Sequence, residues 1–445
     1  MAKGIYIGVN SLARKVKKAY FGVNNVARKI KKIYIGVGGV AKLSYNADSL
    51  PESNIMLYGT NKIFYLNNNK NYSLSPSSIT QYSNGSSAIS ETIYSSGRIS
   101  PKGNYFYFNY FSPTTSNTMK IYKLNEGNVS LFYTLTQSDF PSDIIGGSGY
   151  KDFYFRTGVF SKDEKNFYIL TENTQIDSYR NSYWQHVSSF SVEGSKLTHV
   201  HTIRLNYYTT LSYISRYFNI DIAENSPHLA ICHSYYINND EAEEIRRIYR
   251  MEINSDKTLR ITNTYYEDNT DGTQSFNDII NQSDVKITAD GKWIVVYTNS
   301  GSSYVTNARA YMYYVGANSL EKRNTMGLGS YFGGFQLSRN KLFGYSSRYN
   351  NTSTTQGILV VYDLNSDGTY AQRNIIFPIL KINDKEISLL NRYAKLSRDG
   401  RFVVGYNQNA NVNYVYEIDN TNNTLFLKET IPSSSNYQFC ALINE

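Results

Sequence analysis

Only two cysteines occur in 445 residues, Cys232 and Cys440, too few for a disulfide framework or a thiolate metal centre. Both read as small core residues on strands. No run of eighteen apolar residues exists, so membrane insertion through a spanning helix is not expected. The start, MAKGIYIGVN, lacks the long apolar stretch of a signal peptide, which predicts synthesis in the cytoplasm. Strong helix formers are sparse, and there are only 8 prolines. Missing too are a Gly-x-Ser-x-Gly elbow, a phosphate loop and paired catalytic carboxylates. No catalytic residue, cofactor or metal is therefore expected. Acid is absent from the first 46 residues, the first being Asp48.

In place of these stand 43 tyrosines, with asparagine and serine in abundance. Such a mixture favours strands joined by polar turns. The apolar fraction, 41%, is enough for a sizeable core. Charge is segregated. Residues 1–46 hold ten Lys and Arg, which leaves about −1 for the rest of a chain whose total is +9. A near-neutral body thus carries a strongly basic segment.

That segment repeats every fourteen residues. Tyr6, Tyr20 and Tyr34 correspond, as do Gly8, Gly22 and Gly36, Val9, Val23 and Val37, and Ala13, Ala27 and Ala41. Leu12, Val16, Ala19 and Tyr20 also fit a helical spacing. Turn residues recur in every unit, however (Gly-Val-Asn-Ser, Gly-Val-Asn-Asn, Gly-Val-Gly-Gly), and would break a helix each time. The favoured reading is β-hairpins. Three such units bury little and need a partner or self-association to order.

A longer repeat fills the remainder: an apolar strand, a small residue, a polar turn, then a second apolar strand. The small anchors are Ser100, Ser161, Ala223, Thr288, Ser338 and Ser397, spaced by 61, 62, 65, 50 and 59 residues. Turns such as Ala289-Asp290-Gly291 and Arg398-Asp399-Gly400 follow them, the residue types that positive φ requires. Downstream lies a second column, Tyr122-Lys123-Leu124, Phe190-Ser191-Val192, Met251-Glu252-Ile253, Tyr313-Tyr314-Val315, Tyr362-Asp363-Leu364 and Tyr416-Glu417-Ile418, read as third strands. Six four-stranded blades result. Phe439–Ile443 reads as a further first strand whose companions are Asn54–Tyr58, Lys62–Asn67 and a strand within 72–82. The predicted fold is all-β: a seven-bladed β-propeller (six blades with loose ends being the alternative) preceded by a small hairpin-repeat module. The expected domains are 1–46, a linker at 47–53, and 54–445.

The anchor pattern, as in Leu396-Ser397-Arg398-Asp399-Gly400-Arg401-Phe402, resembles TolB-like and YVTN-type propeller repeats. The basic segment, Tyr-Ile-Gly-Val-Asn…Ala-Arg-Lys-Val-Lys-Lys, resembles repeats of virion proteins from phages and prophages of Gram-positive bacteria. The third unit departs from this, with Gly38-Gly39 and Leu43-Ser44 where the others carry an Asn-containing pair and a basic-apolar pair. The resemblance implies a non-enzymatic structural protein of a phage or phage-like particle, tail or baseplate rather than head. It would reside in the virion in several copies, with other virion proteins as partners. Docking would use Arg14, Lys15, Lys17, Lys18, Arg28, Lys29, Lys31 and Lys32. Clustered cations also suit nucleic acid. A strict period with fixed apolar places argues instead for a folded module, and nucleic acid is disfavoured. The alternatives in other classes are a propeller enzyme acting on surface polysaccharide and a cellular adaptor with a nucleic-acid-binding arm.

Other constellations are weighed against bland readings. Tyr207 and Tyr208, with Tyr345 and Tyr349, are read as parts of Tyr/Ser/Asn loops suited to a host-surface glycan or protein. His199 and His201 alternate on a predicted strand and would share a face, as a metal pair would. No cysteine or carboxylate stands at ligand spacing, so all five histidines, His186, His199, His201, His228 and His233, are expected as solvated strand residues. Asp268–Gly272 lacks the downstream acid of a calcium loop and reads as a turn. Asp240–Glu244 reads as a solvated acidic loop.

Overall fold

The computed structural model describes residues 6–9, 12–15, 20–23, 26–29, 32–37, 40–46, 54–59, 62–67, 79–82, 97–108, 118–125, 128–145, 152–176, 181–210, 216–238, 242–268, 284–298, 309–317, 319–327, 332–338, 340–348, 356–376, 380–382, 385–387, 395–396, 402–407, 412–419, 424–432 and 439–443. The chain divides into two compact units, Met1–Ser53 and Asn54–Asn444.

The first unit is three antiparallel hairpins, one per fourteen-residue repeat: Tyr6–Val9 with Leu12–Lys15, Tyr20–Val23 with Val26–Lys29, and Lys32–Val37 with Val40–Asn46. Their registers correspond, since Val9 faces Leu12, Val23 faces Val26 and Val37 faces Val40. Each connection is thus two residues long, and the Asn and Gly found there are what such turns demand. This decides between the two periodicities in favour of β.

The second unit contains seven four-stranded antiparallel sheets. Blade 1 is Gly97–Ile99, Tyr105–Phe108, Thr118–Asn125 and Asn128–Thr136. Blade 2 is Asp152–Phe160, Asn166–Ile176, Asn181–Glu193 and Lys196–Thr210. Blade 3 is Arg216–Ile222, His228–Asn238, Ala242–Ile253 and Leu259–Asp268. Blade 4 is Asp284–Ile287, Trp293–Thr298, Arg309–Val315 and Leu320–Gly327. Blade 5 is Phe332–Ser338, Lys341–Arg348, Gln356–Leu364 and Tyr370–Ile376. Blade 6 is Lys395–Leu396, Phe402–Asn407, Val412–Asp419 and Thr424–Pro432. A small extra hairpin, Leu380–Ile382 with Lys385–Ile387, precedes blade 6.

The seventh blade is composite. Phe439–Ile443 pairs antiparallel with Asn54–Gly59, which continues to Lys62–Asn67 and Ile79–Tyr82. From blade 2 to blade 6 the first strands of neighbouring blades lie side by side, and Phe439–Ile443 stands beside those of both blade 1 and blade 6. The ring is therefore closed by main-chain pairing between residues near its two ends, a device that leaves no open sheet edge along the seam. The fold is a seven-bladed β-propeller.

The anchor column has a direct physical basis. Ser100, Ser161 and Thr288 each use the side-chain oxygen to accept the amide five residues on: Tyr105 N at 2.9 Å, Asn166 N at 3.0 Å and Trp293 N at 2.9 Å. Main-chain bonds of the same span accompany these, including Ala223 N to His228 O, where the anchor has no hydroxyl. Asp163 and Asp290 then cap the turn, accepting from the Ser161 and Thr288 hydroxyls and from the Lys165 and Lys292 amides. The third residue after the anchor has positive φ: Gly103 at 79°, Glu164 at 59° and Gly291 at 72°. Glu164 holds this disfavoured position through its carboxylate, which accepts Lys102 N and Asn104 Nδ2, each at 2.6 Å. The strained turn of blade 2 is thereby latched onto blade 1.

The apolar core is divided among the clefts between blades. Phe106, Phe153, Phe160 and Phe167 typify the aromatic packing of blades 1 and 2. Ile220, Leu229, Ile231 and Met251 join Leu170 and Val187 between blades 2 and 3. Between blades 3 and 4 lie Val285, Ile294 and Val296, and between blades 4 and 5 Trp293, Val295, Leu342 and Val360. Gly158 marks the tightest approach. A Cβ there would stand 2.4 Å from the Phe167 ring and 2.9 Å from the Tyr168 carbonyl.

Candidate binding sites on the propeller

Polar residues replace apolar ones at one end of blades 2 and 3. There the first strand of blade 2 begins, its second strand ends and its third begins. Arg156 donates through Nη2 to Glu172 Oε1 at 2.6 Å, and both side chains are buried. Gln185, paired across the ladder with Glu172, donates to Glu172 Oε2 at 3.1 Å and shares a 2.8 Å hydrogen bond with His233 Nε2 of blade 3. Phe218 packs edge-on against the His233 ring. Buried Thr171, Asn173, Thr174 and His186 surround this network. Arg98, on the first strand of blade 1, adds a tie near the axis. It passes blade 2 to donate to Ile220 O at 3.1 Å and to Asn219 Oδ1 at 2.7 Å in blade 3.

Two of the five histidines depart most clearly from the solvated expectation. His186 and His233 are fully buried. Burial first, then the Arg204 guanidinium, push His186 down to about 4. An unfolded histidine titrates near ~6.5. Between those values the unfolded chain binds the extra proton and the native state does not, so stability is complete above about pH 6.5 and falls as pH drops toward 4. Urea midpoints measured at pH 7 and 4.5 should show this loss, and His186→Gln should flatten it.

His199 and His201 do not share a face. The ladder shifts between Ser189 and Phe190, which oppose His201 and His199, and the extra residue, Val200, inverts the alternation. His199 packs edge-on against Phe190 and bonds Thr202 Oγ1 at 2.8 Å, while His201 Nδ1 accepts Leu259 N of blade 3 at 3.1 Å. A metal pair is not formed. Among the described residues no group of three His, Cys, Asp or Glu side chains could hold an ion, and no helix is long and apolar enough to cross a membrane. His228 is half-buried, with Nε2 held 2.7 Å from Arg250 Nη2. Because guanidinium only donates, that nitrogen is the acceptor.

Tyr207, Tyr208 and Tyr345, singled out from sequence as loop residues, lie on strands. Tyr207 and Tyr208 lie within the outer strand Lys196–Thr210, opposite Trp184 and Tyr183. Tyr345 lies in Lys341–Arg348, opposite Leu359. β-propensity of Tyr and Thr carries these strands further than the polar neighbours suggested. Tyr349 lies outside the described residues. Glu243 and Glu244 are likewise strand residues, paired with Ile237 and Tyr236 rather than forming a loop. Of the docking cations, Arg14, Lys15, Arg28, Lys29 and Lys32 sit on hairpin strands, whereas Lys17, Lys18 and Lys31 lie outside the described residues. Cys232 is buried on the second strand of blade 3, as expected.

At the opposite end of the blades an open depression of about 680 Å³ lies among turns of blades 1, 2 and 3. Lys102, Lys162, Lys257, Asn225, Asn254 and Tyr168 are among its lining residues. Lys162 Nζ donates to Asn225 Oδ1 at 3.0 Å across the blade boundary. The wall at Asn254 is a rigid turn, in which Asn254 Nδ2 bonds Thr258 Oγ1 and Asp256 accepts from Thr258. Lys257 holds positive φ there, 70°. Blade 5 repeats that turn at Asn365–Thr369, with Gly368 in the same place. The shared string Asn-Ser-Asp-x-Thr was the signal for this turn in the sequence.

No family model matches the chain, and no curated protein matches it. Solved structures do. A Bacteroides fragilis protein provisionally assigned as a 6-phosphogluconolactonase is 13% identical, with a TM-score of 0.50, covering 88% of this chain and 98% of that one. A functionally unknown protein from Desulfotomaculum acetoxidans is 12% identical over 88% and 99%, with a TM-score of 0.47. TolB from Acinetobacter baumannii is 12% identical over 78% and 68%, with a TM-score of 0.34. Identity at this level speaks to the propeller fold alone.

Proposed function

We propose that this chain is a non-enzymatic structural protein of a phage or phage-like particle, placed on the tail or baseplate. The basic hairpin repeats dock on other virion proteins, and the propeller serves as a binding or spacer domain. One observation carries the reading: residues 1–46 hold ten cations and no acid, Arg14, Lys15, Arg28, Lys29, Lys32 and Lys42 among them lie on the strands of three hairpins of corresponding register, and the rest of the chain is near neutral. Two-stranded hairpins with four-residue strands are marginal alone and gain order from a partner. Repeated copies of one hairpin multiply weak contacts with an acidic surface into useful avidity. Buried Glu172 of blade 2 and His233 of blade 3 are linked through Gln185, a structural use of both groups that supports the non-enzymatic reading.

Deletion of residues 1–46 is expected to leave a propeller that unfolds cooperatively but no longer joins the particle, as read by incorporation into assembled particles. Undiminished incorporation overturns the docking role. Depolymerisation of a surface polysaccharide by the purified chain overturns the non-enzymatic one.

A further inference from the structure

The depression at the turns of blades 1 to 3 has the chemistry of a ligand site. Its volume, about 680 Å³, falls within the range of roughly 300–1,000 Å³ typical of small-ligand clefts. Three cations from three blades meet there: Lys102 after the anchor of blade 1, Lys162 after that of blade 2, and Lys257 in the last turn of blade 3. Lys102 and Lys162 are exposed, and among the described residues neither forms an ion pair. Two carboxylates also line the site, Asp163 and Glu224. Asp163 is occupied within its own turn by the Ser161 hydroxyl at 2.6 Å and the Lys165 amide at 3.1 Å. Ser226, Asn225 and Asn254 supply neutral hydroxyl and amide groups on the facing wall.

The positions of these groups are fixed by the fold. Glu164 clamps the Lys102 main chain, Lys162 is tied to Asn225, and Ser189 Oγ holds the Lys257 carbonyl at 3.0 Å. Little ordering remains to be done on binding, which favours affinity. Ammonium groups without an ion-pair partner, Lys162 held only by the neutral Asn225 amide, suit beside amides and hydroxyls a ligand that is both anionic and rich in hydroxyls.

We infer that this depression binds an acidic glycan segment, carrying either carboxylate or phosphate, through Lys102 and Lys162. The inference rests on the reading of the propeller as a binding domain and gives that domain a ligand class. Full-length protein titrated by calorimetry with oligogalacturonate, poly(glycerol phosphate) and neutral dextran tests it. One of the two anionic polymers is expected to bind and dextran is not, and the polymer that binds identifies the anion. The exposed double variant Lys102→Gln/Lys162→Gln should weaken binding at least about tenfold, equivalent to ~1.4 kcal/mol, with an unchanged melting temperature. Substituting Arg14, Lys15, Arg28 and Lys29 by Gln should leave that affinity within about twofold, which separates this site from the basic hairpins. Binding lost only in the hairpin variant, equal binding of dextran, or no binding of either anionic polymer overturns the inference. Particle incorporation of the Lys102→Gln/Lys162→Gln protein reports on the docking reading independently, because the hairpins are intact in it.

Discussion

Alanine at Glu172 should lower the stability of the propeller by about 3–5 kcal/mol, the usual cost of removing one partner from a buried ion pair. The Glu172 side chain is 0% exposed and that of Arg156 8%, so the guanidinium left behind has little water to turn to. Gln185 would lose its bond to Oε2 at the same time. Urea unfolding at neutral pH is the measurement, read as a shift in midpoint at constant slope. The paired replacement Arg156→Met/Glu172→Leu should recover most of the loss, because the expense lies in the orphaned charge rather than in a missing attraction. A loss below about 1 kcal/mol for the single variant would mean that the pair behaves as a solvated surface bridge.

Trp293→Ala should cost a similar ~3–5 kcal/mol, by cavity formation at a large, fully buried side chain. Trp293 stands on the second strand of blade 4 and packs edge-on against Tyr314 and Tyr370. Its indole Nε1 donates to Asn365 O at 2.7 Å, in the last turn of blade 5. It is both core filler and cross-blade tie. Trp293→Phe separates the two roles. Most of the packing is kept, so the loss should shrink toward the ~1 kcal/mol of one hydrogen bond plus a small cavity. Thermal and urea unfolding of both variants test the ordering; an equal loss for Phe and Ala would show that the indole bond dominates.

Both positions illustrate how differently parts of this molecule can be read. Trp293 follows an anchor threonine by five residues, in a pattern of short-range hydrogen bonds that any single blade displays. Its place on a buried second strand is visible from local spacing. Glu172 has no such context. Its neighbours Arg156, Gln185 and His233 lie 16, 13 and 61 residues away, and only the strand register and the packing of blade 3 on blade 2 bring them together.

Sequence alone pointed to the all-β class and the positions of six blades, and favoured a hairpin in each fourteen-residue repeat and closure of Phe439–Ile443 onto Asn54–Gly59, both of which strand pairing decided. All of these follow from alternation, turn residues and contacts a few residues long, repeated often enough to be recognised. Tertiary structure decided the rest. A one-residue bulge parted His199 from His201, and strand pairing carried Tyr207 and Tyr208 off their supposed loop. The turns of three blades created a depression whose lysines are 60 and 95 residues apart in the chain. The physical reason is that faces and sites depend on register and on which blade lies alongside. Those are set by the summed packing of long-range neighbours, which no local pattern of residues encodes.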